Sequence, residues 1–170
     1  MKPGEFITKL GLFFIFLLIG AVNHSCRKDS RDVVPYVPVN LTLDIQTDLG
    51  HLGVGETATI IPDEEGNGIL SFSAPNYPVL RLGQEVSGNG LILYRLALYE
   101  FMVFDRTCTF QASIDYCAVE MDDTGLVPEC PCCQSQFMIP LEGAVTQGPA
   151  ALPLKAYQTY INNYQLFIFN

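Results

Sequence analysis

Strict alternation of apolar and polar residues is the feature that most constrains the fold of this chain. Over residues 37–45 the sequence VPVNLTLDI places an apolar side chain at every second position. That period of two is typical of a β-strand with one buried face. Glycine and proline recur every few residues between positions 53 and 90, where they favour turns. Many short strands joined by such turns predict an all-β domain, a small antiparallel sandwich or barrel.

Two pairs of apolar segments indicate β-hairpins in the second half of the chain. Residues 91–94 and 100–104 form the first pair, and residues 154–161 and 165–169 form the second. The second pair flanks Asn162-Asn163. Asparagine adopts positive φ more readily than most residues, so this dipeptide predicts a two-residue hairpin turn.

A basic and apolar segment at the start of the sequence predicts export. Lys2 and Lys9 precede the apolar run 10–22, which is too short to span a bilayer as a helix of about 20 residues. This arrangement is typical of a signal peptide. Cys26, the first cysteine, follows shortly after the run. The segment is therefore similar to a bacterial lipoprotein signal, in which the cysteine is lipidated and becomes the mature N-terminus. An ordinary secretory signal cut nearby is the alternative.

The resulting organisation is a signal peptide (1–25), a lipid anchor with a linker (26–35) and one β domain (36–170). The formal net charge of the whole chain is −9, and cleavage removes Lys2, Lys9 and Glu5, so it becomes −10. Nucleic acid is excluded as a partner, because binding it rests on neutralising phosphates. Basic residues cluster just after the first cysteine, where anionic headgroups attract them: Arg27, Lys28 and Arg31. We expect an acidic domain anchored to a membrane by its lipid and facing the periplasm or the cell surface, with an unknown protein partner.

The remaining cysteines carry the chemistry of the sequence. The stretch ECPCCQSQF, residues 129–137, contains Cys130, Cys132 and Cys133, and the upstream stretch RTCTFQASIDYC contains Cys108 and Cys117. Thiols this dense bind a metal, pair into disulfides or exchange electrons.

These stretches resemble the cluster loops of the Rieske iron–sulfur family, which read C-x-H and C-x-x-H. Cys108 with Phe110 stands where the first loop would be, and Cys130 with Cys133 stands where the second would be. The flanking segments GNGLILYRLALYEFMVFD and GPAALPLKAY are also similar to that family. Together with its N-terminal signal, the chain resembles Rieske-like lipoproteins of Bacteroidetes-type bacteria. The resemblance implies a fold with both cysteine loops at one tip, a 2Fe–2S cluster and one-electron transfer.

The ligand positions depart from the family pattern. A Rieske centre holds one iron through two cysteines and the other through two histidines. Here Phe110 and Cys133 occupy the two histidine positions, and the histidine left after the signal, His51, is far from both loops in sequence. Because Phe110 has no lone pair to donate, a cluster with two cysteine and two histidine ligands is not expected from these loops.

Three alternatives remain for the loops. Cys108, Cys130 and Cys133, with Cys117 as a fourth ligand, would hold an all-thiolate iron–sulfur cluster or a zinc ion. Alternatively no metal is bound and disulfides tie the loops together. In respiratory Rieske proteins the cysteine at the position of Cys132 forms such a disulfide, and Cys117 lies near the position of its partner. Finally, Cys130 and Cys133 would form a redox C-x-x-C motif.

These alternatives correspond to two classes of function. The first is an electron-transfer component, and the second is a disulfide-stapled structural or binding module of the cell envelope without redox activity. Enzymatic turnover by this chain alone is not expected, because no substrate-activating constellation accompanies the cysteines.

Overall fold

The computed structural model describes residues 28–62, 68–71, 77–78, 81 and 84–170. The predicted signal peptide and the lipidation site at Cys26 lie outside these residues. Strands and helices are labelled in chain order as α1 (Ser30–Val33), β1 (Val39–Asp44), β2 (Thr57–Pro62), β3 (Gly68–Ser71), β4 (Tyr77–Pro78), β5 (Glu85–Val86), β6 (Leu91–Ala97), β7 (Glu100–Asp105), α2 (Ala112–Asp115), β8 (Gln136–Met138), β9 (Ala144–Gln147), β10 (Gln158–Asn162) and β11 (Gln165–Phe169).

The strands form three antiparallel sheets, which confirms the predicted all-β class. The first sheet has the order β10-β11-β1-β5, the second has the order β4-β3-β2-β6-β7, and β8 pairs with β9 in a small third sheet. The helices of the described part are single turns. None of them has the length and apolar character that a membrane crossing requires.

A first hydrophobic core lies between the two larger sheets. Alternation in β1 buries Val39, Leu41 and Leu43, as the period of two predicts. Residues from both sheets complete this core, namely Ala58, Ile60, Leu70, Leu91, Leu93, Phe101, Val103, Leu166 and Ile168. The two sheets therefore pack face to face through alternating side chains.

A second core covers the opposite face of the five-stranded sheet. In β6 residues 91–94 are all buried, because Leu91 and Leu93 face the first core while Ile92 and Tyr94 face the second. The second core also contains Cys108, Cys130 and further apolar side chains, among them Phe104, Val119, Phe137, Ile139 and Leu154. The cysteine loops are thus packed onto a sheet that is buried on both sides.

Both predicted hairpins are present. Strands β6 and β7 pair across residues 98–99, and β10 and β11 pair with Asn162 opposite Gln165. The second turn therefore consists of Asn163 and Tyr164, both with positive φ, one residue later than the predicted Asn162-Asn163. The register that buries Leu166 and Ile168 accounts for the shift, because a one-residue slip would turn these side chains to the other face.

A helical turn lies within the range predicted as a linker. Asp29 caps α1 by accepting a hydrogen bond from the backbone N–H of Arg31, and the side chain of Asp32 accepts one from the backbone N–H of Asp29. Ser30 and Val34 are buried. Part of residues 26–35 is therefore packed on the domain.

Candidate metal centre and disulfide

The first cysteine loop is closed by backbone hydrogen bonds at its base. Thr107 and Ala118 form an antiparallel bridge, and the N–H of Cys108 donates to the carbonyl of Cys117 at 2.8 Å. Between these cysteines the chain makes the single helical turn α2, flanked by Gln111 and Tyr116 with positive φ. The loop therefore places Cys117 next to Cys108.

The second cysteine loop is a tight reversal at the start of β8. The N–H of Cys130 donates to the carbonyl of Ser135 at 2.9 Å, and the N–H of Gln134 donates to the carbonyl of Cys130 at 2.7 Å. Gln134 has a φ of 61°, which lets the chain turn back within five residues. The bridge between Glu120 and Glu129 joins this loop to the segment that follows the first loop. Both loops are thereby held at one end of the domain.

Three thiols converge between the loops. The Sγ atoms of Cys108, Cys130 and Cys133 all lie within 4.8 Å of one another, and those of Cys108 and Cys133 are 3.6 Å apart. Cys108 and Cys130 are buried, with 0% and 1% of their surface exposed, and Cys133 is half-buried. These cysteines occupy the three positions named from the sequence, and we call them the thiol triad.

The two remaining cysteines form a disulfide between the loops. Cys117 and Cys132 are bonded, with their Cα atoms 6.4 Å apart, a separation typical of disulfides. This is the pair that the family resemblance implied. The bond removes Cys117 from the thiols that could serve as a fourth ligand. Cys132 is exposed, although it neighbours the half-buried Cys133 in the chain.

The triad thiols differ in acidity. Burial raises the pKa of Cys108, and its thiol neighbours Cys130 and Cys133 raise it further. Burial also acts to raise the pKa of Cys133, but hydrogen bonds from Ser135, Cys130 and Cys108 outweigh it, so this pKa lies below its ordinary value. Cys133 therefore loses its proton more readily than Cys108. A bound cation would favour the thiolate form of all three.

Ser135 supports the triad and was not identified from the sequence. Its side chain is fully buried, its Oγ lies 3.1 Å from the Sγ of Cys133, and it accepts a hydrogen bond from the N–H of Ala150 at 2.9 Å. Thr109 donates a second bond, at 2.7 Å, to the carbonyl of Leu152. Residues 148–153 are thus hydrogen-bonded to both loops. Its place in the stretch CPCCQS, which resembles the C-P-x-H-G-S pattern of the second Rieske loop, is the signal that could have identified Ser135.

The donor set does not match a Rieske cluster. Phe110 is packed against the second core and offers no ligand atom. Among the described residues, the groups of side chains close enough to share a metal ion contain cysteines alone and no histidine. An all-thiolate 2Fe–2S cluster needs four thiolates, whereas the triad offers three while Cys117 is in the disulfide. Three converging thiols match a single thiophilic ion whose fourth position is filled from outside.

Comparisons with known proteins find similar solved structures at low sequence identity. No family model matches the chain, and no curated protein does. A chain from the complex of reduced oxygenase and oxidized ferredoxin in carbazole 1,9a-dioxygenase has a TM-score of 0.40 and 15% identity, with 78% of this chain and 91% of that chain covered.

Two further structures are similar to the same degree. The ferredoxin of carbazole 1,9a-dioxygenase from Nocardioides aromaticivorans IC177 has a TM-score of 0.39 and 16% identity, covering 78% of this chain and 97% of that chain. The plasma membrane Rieske protein PetC3 from Synechocystis PCC 6803 has a TM-score of 0.40 and 17% identity, covering 78% and 98%.

Proposed function

We propose that this chain is an exported, lipid-anchored, Rieske-like module in which Cys108, Cys130 and Cys133 bind one thiophilic metal ion. The observation that carries the proposal is the third sulfur atom. A disulfide needs two thiols, and the fold already has one disulfide at this end of the domain. Three further thiols whose Sγ atoms all lie within 4.8 Å of one another provide the set of converging ligand atoms that a metal ion requires.

The one-electron transfer implied by the resemblance would need a complete cluster. The described residues supply three thiolates and no imidazole at the loops, so we do not assign a 2Fe–2S cluster to them. Anaerobic purification followed by iron and acid-labile sulfide analysis tests this point. Iron and sulfide in equal amounts, with visible sulfur-to-iron absorption, would show that a cluster is built after all.

Cobalt titration tests the metal proposal directly. Co²⁺ replaces Zn²⁺ in thiolate sites and reports thiolate ligation by charge-transfer absorption, with visible bands for a tetrahedral site. We expect one Co²⁺ per chain in the parent protein, and loss of the charge-transfer band in the variant Cys108→Ser. The double variant Cys117→Ser/Cys132→Ser is the matched control, since it removes two cysteines but leaves the triad. If the control loses the band and Cys108→Ser keeps it, the triad is not the site.

A disulfide-stapled scaffold without metal is the second candidate, favoured by the 3.6 Å between the Sγ atoms of Cys108 and Cys133. Oxidation of this pair would give a second disulfide and leave Cys130 as a thiol. Mass-spectrometric disulfide mapping of protein purified without reductant separates the candidates. A stoichiometric Cys108–Cys133 bond in protein that binds no metal would establish the scaffold.

Export and anchoring are tested at Cys26. The proposal is supported by the basic and apolar segment before this cysteine. We expect the variant Cys26→Ser to be released from membranes or to be retained with its signal uncut. If it matures and fractionates as the parent does, the lipid anchor is wrong, and the metal proposal for the domain is unaffected.

A further inference from the structure

The thiol triad and the disulfide share a point of contact. The Sγ atoms of Cys117, Cys130 and Cys132 lie within 4.8 Å of one another, as do those of the triad, and Cys130 belongs to both groups. A buried free thiol therefore lies beside an existing disulfide. Neither the metal proposal nor the scaffold requires this second group of contacts.

We propose that Cys130 undergoes thiol–disulfide exchange with the Cys117–Cys132 bond. Such exchange proceeds by attack of a thiolate on one sulfur atom of a disulfide. The Sγ of Cys130 attacks the Sγ of Cys117, and a Cys117–Cys130 bond forms as the Cys117–Cys132 bond breaks. Cys132 leaves as a thiolate and takes up the proton that Cys130 lost. One disulfide is present before and after, so no external oxidant or reductant is needed.

The second cysteine loop determines which sulfur atom of the disulfide Cys130 attacks. Attack on Cys132 would close a ring of three successive residues around Pro131, whose φ is fixed. Attack on Cys117 instead keeps a bond between the two loops. It also exchanges a buried thiol for an exposed one, since Cys130 is 1% exposed and Cys132 lies at the surface.

The exchange would give this surface a reactive group suited to low-molecular-weight disulfides and disulfides of other exported proteins. The Cys132 thiolate would attack such a disulfide, keep one half as a mixed disulfide and release the other half as a thiolate. Each step of the exchange takes place in metal-free protein, because a metal ion bound at the triad would engage Cys130 as a ligand.

Maleimide trapping tests the exchange. Full-length protein, purified without reductant and kept with a metal chelator, is incubated with N-ethylmaleimide, and its peptides are mapped by mass spectrometry. We expect Cys132 to gain the label at the rate at which a Cys117–Cys130 bond appears. In the variant Cys130→Ser the labelling of Cys132 should fall by about tenfold or more, because the attacking thiol is gone. Ser113→Ala, an exposed change in the first loop, is the control and should label as the parent does.

Two outcomes would overturn the proposal. One is labelling of Cys132 at an equal rate in the parent and in Cys130→Ser. The other is a parent protein whose Cys132 stays unlabelled after Cys133 has been labelled completely.

A second variant keeps the test decisive if Cys130→Ser does not fold. Cys132→Ser leaves Cys117 without its partner, and we expect a Cys117–Cys130 bond after the purified protein has been oxidised with diamide. Cys117 that is free, or bonded to Cys108 or Cys133, would contradict the exchange. Cobalt binding by Cys117→Ser/Cys132→Ser, which lacks the disulfide, reports on the metal site alone, so the two proposals fail separately.

Discussion

Ser135 links the thiol triad to the rest of the domain through one buried hydroxyl group. It lies against the Sγ of Cys133 and accepts the N–H of Ala150, so it joins the second cysteine loop to the segment that packs over it. Buried backbone N–H groups almost always have a partner, and Ser135 is the partner of this one. Its removal would affect the segment as well as the thiol.

We therefore expect Ser135→Ala to lower the free energy of unfolding by about 1–3 kcal/mol, because the N–H of Ala150 loses its acceptor in a dry environment. Denaturant unfolding at neutral pH measures the effect. Ser113→Ala, which changes an exposed serine, should stay within about 0.5 kcal/mol of the parent. Equal effects of the two substitutions would show that the hydroxyl of Ser135 has no structural role.

A second buried hydrogen bond, between Tyr157 and Asp105, links the last part of the chain to β7. The Tyr157 hydroxyl donates to Asp105 Oδ2 at 2.7 Å, while Oδ1 accepts the N–H of Thr107 at 2.8 Å. Both side chains are buried. Burial raises the pKa of Tyr157, and the negative charge of Asp105 raises it further.

This bond predicts a dependence of stability on alkaline pH. A raised pKa means that the folded state keeps the tyrosine proton after the unfolded state, with a pKa of about 10, has lost it. The stabilisation is therefore complete below about pH 10 and declines as the pH rises above that value. We expect Tyr157→Phe to be less stable than the parent by about 1–3 kcal/mol at neutral pH. Its stability should also fall less steeply above about pH 10.

Denaturant unfolding at a series of pH values checks both expectations. Tyr160→Phe is the control, because Tyr160 is 58% exposed. A parallel decline of the parent and Tyr157→Phe at alkaline pH would contradict the argument.

At the scale of secondary structure, Gly90 determines how closely the end of β2 approaches the start of β6. Gly90 has a φ of 87°, and a Cβ atom there would collide with the carbonyl oxygen of Ile60 and lie 3.1 Å from the Cα of Ile61. Its own carbonyl accepts the N–H of Arg106 at 3.0 Å. Position 90 thus requires glycine for two reasons, the positive φ and the lack of space for a Cβ atom beside β2.

Comparison of two glycines separates these contributions. Gly55 also has positive φ, 86°, but a Cβ there meets nothing within 4 Å. We expect Gly55→Ala to cost about 1 kcal/mol of unfolding free energy for its conformation. Gly90→Ala should cost about 1–3 kcal/mol more, because the backbone of β2 has to move. Thermal or denaturant unfolding of both variants measures the difference, and equal losses would mean that the space around Gly90 is unimportant.

The sequence predicted those elements whose signals are local. Alternation in residues 37–45 identified β1, and the apolar pairs identified both hairpins, because burial of one strand face leaves a period of two. The exact turn of the second hairpin was not predictable from its asparagines. Tyr164 takes a φ of 64°, and its carbonyl accepts the N–H of Ile45 at 2.8 Å, a contact with a distant segment.

The site was predictable to the extent that the family resemblance supplied it. The cysteines at the cluster positions and the pair Cys117 and Cys132 were named from that resemblance. The convergence of three sulfur atoms depends on bridges between the segments around the two loops, such as Glu120 with Glu129, which no local pattern encodes. The contact of Cys130 with both sulfur groups is likewise a property of the folded loops, and the spacing of the cysteines in the sequence does not predict it.

At the scale of the whole molecule, metal binding at the triad would be coupled to global stability. The triad joins side chains from two loops that pack on a common core, so a ligand held there favours the folded state by mass action. With free Zn²⁺ at about 100 times its dissociation constant, we expect the free energy of unfolding to rise by about 2.7 kcal/mol.

The zinc effect is measured as the difference between metal-loaded and chelator-treated samples of the same protein. Cys108→Ser should show no such difference, whereas Ser113→Ala should show the full one. Stabilisation of Cys108→Ser by zinc would place the ion somewhere other than the triad.

The pairing of β1 with β11 has a consequence for the timing of folding. Residues 40–44 pair with residues 165–169 in reverse order, so one of the earliest strands takes one of the latest as its neighbour. During synthesis on the ribosome, β1 has no pairing partner on this edge until nearly the whole domain has been made and β11 emerges. Such distant pairing is slow to form and leaves an open strand edge in the meantime. The domain is therefore expected to fold after translation rather than during it, and a chaperone that shields the waiting strand would raise its yield.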